Sequence, residues 1–252
     1  MENVKPVYKR ILLKLSGEAL ALKETYVENG KQKEEVKEIF DAAKLDEIAA
    51  VVKTCVDMGV QVGIVIGAGN IWRGARQGGL SIDRVRGDHM GMLATVINSL
   101  AMQDYLLSAG IDAKVMSAFQ IQQVCEHYAQ YKAMEYLEQG SVVLIPCGVG
   151  YPYFSTDTGM MLRAVELKCD VLLSAKNVDG VYDSDPAKNP AAKKYDTLTY
   201  DEILSKNLKA IDLTASAIGR ENKMPALIFG LSHPENITRA VMGENLGTLI
   251  TE

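Results

Sequence analysis

Three glycine clusters stand beside cations or short apolar runs: Lys14-Leu15-Ser16-Gly17, then Gly67-Ala68-Gly69-Asn70 with Arg73 close behind, then Gly148-Val149-Gly150. Glycine lets backbone N–H groups approach an anion closely, and a helix that starts after such a turn adds positive potential. A single glycine turn is equally well explained by tight chain reversal. Three together, two with Lys14 or Arg73 adjacent, point to a ligand rich in phosphate.

Other phosphate and catalytic motifs fail on spacing. The only Gly-Lys pair, Gly30-Lys31, has Thr25 where a P-loop needs its first glycine. Trp72 and Tyr153 occupy the third-glycine positions of the two segments that begin like dinucleotide fingerprints. His89, His127 and His233 form no HExxH, and no G-x-S-x-G elbow occurs, which argues against a zinc protease or an α/β-hydrolase. Cys55, Cys125, Cys147 and Cys169 contain no CxxC and read as reduced thiols.

The elements that must position these residues alternate. Strand patterns cover Arg10–Leu15, Gln61–Ile66, Ala113–Met116, Ser141–Ile145, Asp170–Leu173, Ala226–Phe229 and Thr248–Ile250. Several are apolar on both faces, as strands sandwiched between helices are. Leu45, Ile48, Ala49, Val52 and Val56 place one apolar stripe on a helix. Helical patterns also cover Asp88–Ala109, His127–Glu138, Asp157–Lys168, Tyr200–Ser205 and Glu235–Met242. Thr199 with Glu202, and Ser232 with Glu235, have capping-box spacing. This alternation predicts an α/β fold with a mainly parallel sheet, helices on both faces, and the glycine turns along its carboxyl edge.

Two stretches break the rhythm. From Lys23 to Glu38, nine of sixteen residues are charged and Gly30 interrupts, so an exposed loop or small helical excursion is expected. Asp179–Thr197, with Gly180, Pro186 and Pro190, reads as a long loop of the kind that carries function.

The 252 residues are 48% hydrophobic and 23% charged, a composition that suits one large globular domain or two small ones. A net charge of −5 lacks the basic excess that nucleic-acid binding demands. The most apolar stretch, Val60–Ala68, is far short of the ~20 residues that span a bilayer. The start lacks a signal-peptide core, so a cytoplasmic location without membrane contact is expected.

Tyr8–Glu18, Gly67–Gly74, Gly87-Asp88-His89-Met90-Gly91-Met92-Leu93-Ala94-Thr95, and Val178-Asp179-Gly180-Val181-Tyr182 with Asp185-Pro186 resemble the bacterial uridylate kinases of the amino-acid-kinase family. The resemblance extends over nearly the whole chain, to the closing Gly247-Thr248-Leu249-Ile250. It implies a single domain, a three-layer α/β/α sandwich like that of acetylglutamate kinase, with a charged insertion at about residues 23–40. It also implies transfer of a phosphoryl group from ATP to UMP in pyrimidine nucleotide synthesis, Mg2+ arriving with ATP rather than in a dedicated protein site, and a homohexamer with UTP as inhibitor and GTP as activator.

By the same resemblance Lys14, Arg73 and Asp157 form the reaction centre, with Lys14 reaching the migrating group and Asp157 holding Lys14. ATP is expected over Lys14, Leu15, Ser16, Gly17, Gly69, Arg73, Lys176, Tyr182 and Asp185. UMP is expected along Ala68, Asp88, Val149, Gly150, Tyr151, Pro152, Tyr153, Phe154, Ser155 and Thr156, with Asp88 on the ribose. A plain N-cap at Asp157 is the alternative reading of that residue.

The chain departs from the family pattern in several places. Val149 and Tyr151 replace a threonine and an asparagine, and Gln103 and Leu107 stand where an arginine linked to GTP activation and a histidine often occur. A carboxylate or carbamate kinase of the same family, and a non-catalytic nucleotide-binding or storage relative, are the competing readings. Gly87–Gly91 favours the nucleotide over the first, and the retained Lys14, Arg73 and Asp157 argue against the second.

Overall fold

A computed structural model describes residues 5–28, 31–73, 81–208, 211–231 and 233–252. Strands are numbered in chain order: β1 (Arg10–Leu15), β2 (Leu22–Glu28), β3 (Lys31–Glu38), β4 (Gln61–Ile66), β5 (Ala113–Ser117), β6 (Glu126–His127) and β7 (Val142–Leu144). They continue as β8 (Val171–Lys176), β9 (Val181–Tyr182), β10 (Lys194–Tyr195), β11 (Thr197–Thr199), β12 (Ala226–Gly230) and β13 (Thr248–Thr251). The helices are α1 (Ala42–Asp57), α2 (Arg84–Ser108), α3 (Gln130–Glu138), α4 (Thr156–Glu166), α5 (Tyr200–Ser205), α6 (Leu213–Glu221) and α7 (Asn236–Val241).

Among the described residues one nine-stranded sheet runs β11-β13-β12-β8-β1-β4-β7-β5-β6. From β12 to β6 every pairing is parallel; β13 joins β12 antiparallel. The alternation of side chains along each strand divides the core in two. Ile11, Leu13 and Leu15 pack with Leu45 and Val52 of α1, Met102 of α2 and Ile237 of α7. Leu12 faces the other way, into a second core with Leu137 of α3, Met160 and Met161 of α4, Ile203 of α5 and Ala215 of α6. The result is the three-layer α/β/α sandwich expected. Among the described residues no helix is long and apolar enough to cross a membrane.

The charged stretch from Lys23 is not a loop or helical excursion. Leu22–Glu28 and Lys31–Glu38 pair as an antiparallel ribbon, with Glu28 opposite Lys31 and Tyr26 opposite Lys33. Its charges are laid across the strands: Lys23 Nζ lies 3.1 Å from Glu34, and Lys37 pairs with Glu24. The register sets Glu24 opposite Glu35, and these pairs of opposite sign are diagonal to it, within side-chain reach across the two strands.

Smaller differences have local causes. Helix α2 starts at Arg84, before Asp88, because the Asp83 carboxylate caps it by accepting from Val85 N and Arg86 N. Glu126–His127 pairs with β5, so helix begins only at Gln130. The stretch after Asp179 contains a two-stranded ribbon of β9 and β10. Helix α6 had no sequence counterpart. Thr199 and Glu202 do form a capping box; Ser232, the other predicted cap, lies outside the described residues. All four cysteines are free.

Candidate active site

Strand alternation and helix capping together build the centre of the site. Lys14 shares the face of Leu12 on β1, and Lys176 shares the face of Leu172 on the adjacent β8. That face is covered by α4. Ser155 caps α4 by accepting from Thr158 N at 3.1 Å, so Asp157 is the second residue of the helix and not its N-cap. Its carboxylate hangs between the two lysines, with Oδ1 3.8 Å from Lys14 Nζ and Oδ2 3.4 Å from Lys176 Nζ. Lys14, Asp157 and Lys176 expose only 12%, 21% and 19% of their side chains, so this charge triplet works in a poorly screened environment. Burial lowers the Lys14 pKa; Asp157 and Glu18 pull it back up, and Lys176 adds to the lowering.

The glycine turns lie side by side at the carboxyl ends of β1 and β4. A Cβ on Gly17 would stand 2.3 Å from the Gly67 carbonyl oxygen, so only glycine permits this approach. The Gly67 turn is fixed from behind by a reciprocal amide pair. Asn70 and Asn98 exchange hydrogen bonds of 2.9 and 2.8 Å, and Asn98 Nδ2 also donates to Gly67 O at 2.7 Å. Asn70 Nδ2 donates in addition to Ile39 O, where the charged ribbon rejoins the fold.

Arg73 is exposed on the rim, where it pairs with Glu18 at 3.1 Å and donates from Nε to Gly69 O. Glu18 also lies 3.7 Å from Lys23 and accepts from Asn177 at 3.2 Å. One carboxylate therefore connects the first glycine turn, the second glycine turn, the ribbon and the end of β8.

Among the cavities around this centre, two hold most of the residues expected to contact ligands. One of about 440 Å3 is lined by Lys176, Val178, Tyr182, Asp185, Lys206 and Leu208 among others. Within its wall Tyr182 donates to Asp179 at 2.7 Å, and Lys194 pairs with the same carboxylate. The other, about 350 Å3, is lined by Ala68, Trp72, Arg73, Arg84, Asp88, Val149, Tyr151, Tyr153, Phe154, Ser155 and Thr156. Of the residues expected around UMP, Gly150 and Pro152 are not in that wall; the Gly150 backbone packs against Ala118 instead. Of those expected around ATP, Tyr182, Asp185 and Lys176 share the first cavity, Arg73 lines the second, and Lys14–Gly17 and Gly69 are in the wall of neither.

Several residues around the site are not among the expected ligand contacts. Asp212 caps α6 through Ala215 N at 2.8 Å, accepts from Thr158 Oγ1 at 2.9 Å and from Ser155, and so ties α6 to the helix turn that carries Asp157. Arg163, almost fully buried, donates to Gly148 O at 3.1 Å, pairs with Glu166 at 2.5 Å and lies over the Tyr128 ring. Trp72 Nε1 donates to Gly87 O at 2.7 Å, holding the second glycine turn against α2. Gln103 turns its amide to Ala113 O of β5, and Leu107 is exposed.

Among the described residues no three His, Cys, Asp or Glu side chains converge as a metal centre requires. The acidic group nearest the centre, Asp157, is already engaged by two lysines. Two lysines flanking one carboxylate suit an anionic ligand.

The chain is similar to known proteins over most of its length. The model of the amino acid kinase family matches residues 9–230. The uridylate kinase of Klebsiella pneumoniae is 48% identical over 250 residues, 99% of each chain, and that of Escherichia coli is 47% identical over the same span. The crystal structure of a UMP kinase from Bacillus anthracis superposes with a TM-score of 0.86 at 37% identity, covering 97% of this chain and 96% of the other. That of the Ureaplasma parvum UMP kinase also reaches 0.86, at 34% identity over 97% and 99%. A match that spans most of the chain, joined to this identity and this shape, places the chain in the amino acid kinase family.

Proposed function

We propose that this protein transfers the γ-phosphoryl group of ATP to the phosphate of UMP, giving ADP and UDP. What carries the reading is the Lys14–Asp157–Lys176 triplet, placed between a cavity walled by Lys176 and a cleft walled by Thr156. The acceptor phosphate is already an anionic nucleophile and needs no general base. Positioning and charge neutralisation therefore dominate the chemistry.

In this reading ATP lies over Lys14–Gly17, Gly69 and the cavity of Tyr182 and Asp185, and Mg2+ rides on its phosphates. Lys14 and Lys176 face the charge that develops on the migrating group, and Arg73 guards the rim. Asp157 keeps two like charges in place when no nucleotide is bound. UMP occupies the cleft of Ala68, Val149, Tyr151 and Tyr153–Thr156, with its ribose on Asp88. A homohexamer, UTP inhibition, GTP activation, a cytoplasmic location and a place in pyrimidine nucleotide synthesis belong to the same proposal. Met90, Leu93 and Ile97, exposed at helical spacing on α2, supply an apolar face for subunit contact.

The test is ADP release with UMP, CMP, dUMP and small carboxylates as acceptors, each with and without GTP and UTP. Turnover with UMP at least tenfold above the other acceptors is expected, on the scale of one lost polar contact. Preference for a carboxylate would overturn the assignment.

A further inference from the structure

Arg84 and Asp88 lie one turn apart on the first turns of α2. The Arg84 Nε–H is shared between both Asp88 oxygens, at 3.0 and 2.8 Å. From the opposite wall, the Tyr153 backbone N–H donates to Asp88 Oδ2 at 2.8 Å. The guanidinium also lies over the Tyr153 ring, 5.4 Å from its centroid. Tyr153 has φ 71°, a left-handed conformation that a residue with a Cβ adopts only when its surroundings hold it there.

This arrangement has little to offer fold stability. The Arg84 side chain is 56% exposed, and an exposed pair one turn apart on a helix contributes only a few tenths of a kcal/mol. It does, however, fix the direction of the Asp88 carboxylate. A carboxylate has about four lone-pair positions; Arg84 and Tyr153 leave part of that capacity for a ligand in the cleft that Asp88 lines.

We propose that Arg84, together with the Tyr153 backbone, is a positioning residue that aims Asp88 at the vicinal hydroxyls of the acceptor ribose, and so sets the preference for ribonucleotides over deoxyribonucleotides. The proposal rests on Asp88 as the ribose contact. Two neighbouring O–H donors match a carboxylate held in one orientation. A 2′-deoxyribose leaves one of the acceptor sites unpaired, and a site built to bond a hydroxyl discriminates strongly against its absence. A carboxylate released from Arg84 and free to rotate would bond either sugar less well and distinguish them less.

The experiment compares kcat/KM for UMP and dUMP at saturating ATP in the unaltered enzyme, Arg84→Gln, Arg84→Lys and Asp88→Asn. Trp72 is the only tryptophan of the chain and lines the same cleft, so its emission reports UMP binding without turnover. Arg84→Gln is expected to lose about tenfold with UMP and about twofold with dUMP, with the KM for ATP unchanged. Arg84→Lys, which keeps the cation but not the planar fork, is expected to fall between. Equal losses with both nucleotides would make Arg84 a structural residue and overturn the proposal. A selectivity lost in Asp88→Asn but intact in Arg84→Gln would overturn it while leaving Asp88 on the ribose. Selectivity intact in Asp88→Asn would remove the Asp88 reading and the proposal with it.

Discussion

The Lys14 ammonium stands 3.8 Å from Asp157 Oδ1, although the two residues come from a central strand and from the N-terminal turn of a helix 143 positions later in the chain. Their meeting needs no special local sequence. It follows from a lysine on the α4 face at the carboxyl end of β1, and from a serine cap that starts α4 directly above it.

Lys14 should trade stability for turnover. Burial lowers its pKa below the ordinary 10.5, so the folded chain binds this proton less tightly than the unfolded chain. The cost of the charged form is fully present below the folded pKa and is relieved as pH rises towards the unfolded value. At neutral pH, Lys14→Met is therefore expected to be as stable as the unaltered protein or more so, while kcat falls about a hundredfold or more. Urea unfolding and steady-state turnover measure the two; a strongly destabilised Lys14→Met with near-normal kcat would contradict both halves.

Asp157 and Lys176 should move the alkaline limb of the rate profile in opposite directions. Asp157 raises the Lys14 pKa and Lys176 lowers it. In Asp157→Asn the limb set by Lys14 shifts to lower pH, and in Lys176→Gln it shifts to higher pH. Both variants also lose kcat. Profiles of kcat that move together, or not at all, would detach Lys14 from that limb.

Asn98→Leu should damage the second glycine turn from a distance. It strands the side-chain oxygen of buried Asn70 and the Gly67 carbonyl, which Asn98 now satisfies, while Asn70 Nδ2 keeps its bond to Ile39 O. The expected cost is about 1–3 kcal/mol for each buried group left unpaired, together with a raised KM for ATP or UMP. Thermal unfolding with nucleotide titration checks this, and an unchanged melting temperature would show that water replaces the amide.

Val149 and Tyr151 both line the cleft that Asp88 and Thr156 share, and Tyr151 is 68% exposed there. Val149→Thr combined with Tyr151→Asn should tighten UMP by about 0.5–1.5 kcal/mol for each neutral hydrogen bond gained. UMP saturation curves with and without GTP distinguish this from a role in effector response. An unchanged KM under both conditions would retire the substrate contact.

The parts of this protein that the sequence alone determined are those set by neighbours along the chain. Arg10–Leu15 and Gln61–Ile66 emerge with the same bounds from pattern and from structure, because strands apolar on both faces and closed by glycine leave few other solutions. The Thr199–Glu202 capping box is legible for the same reason: four consecutive residues contain the whole interaction. The ribbon of Leu22–Glu38 was readable in principle. The sequence Asn29-Gly30 is a dipeptide that favours two-residue hairpins, yet the charged flanks hide the strands unless the cross-strand partners are known.

Tertiary structure decided everything that depends on which loops become neighbours. Asp212 caps a short helix whose sequence has no continuous apolar stripe, and its contact with Ser155 and Thr158 crosses more than fifty positions. Glu18 pairs with Arg73 because Gly17 lets the first turn press against the second, and Asn70 finds Asn98 because α2 runs beneath that turn. Arg84 with Asp88 is a common helical spacing; only the return of Tyr153 to the same carboxylate makes it part of a site. Periodicity reports which face of an element is buried, since burial is a property of a residue and its near neighbours. It is silent about which two loops share a sheet edge, because that follows from strand order, and strand order is settled by the packing of the whole chain.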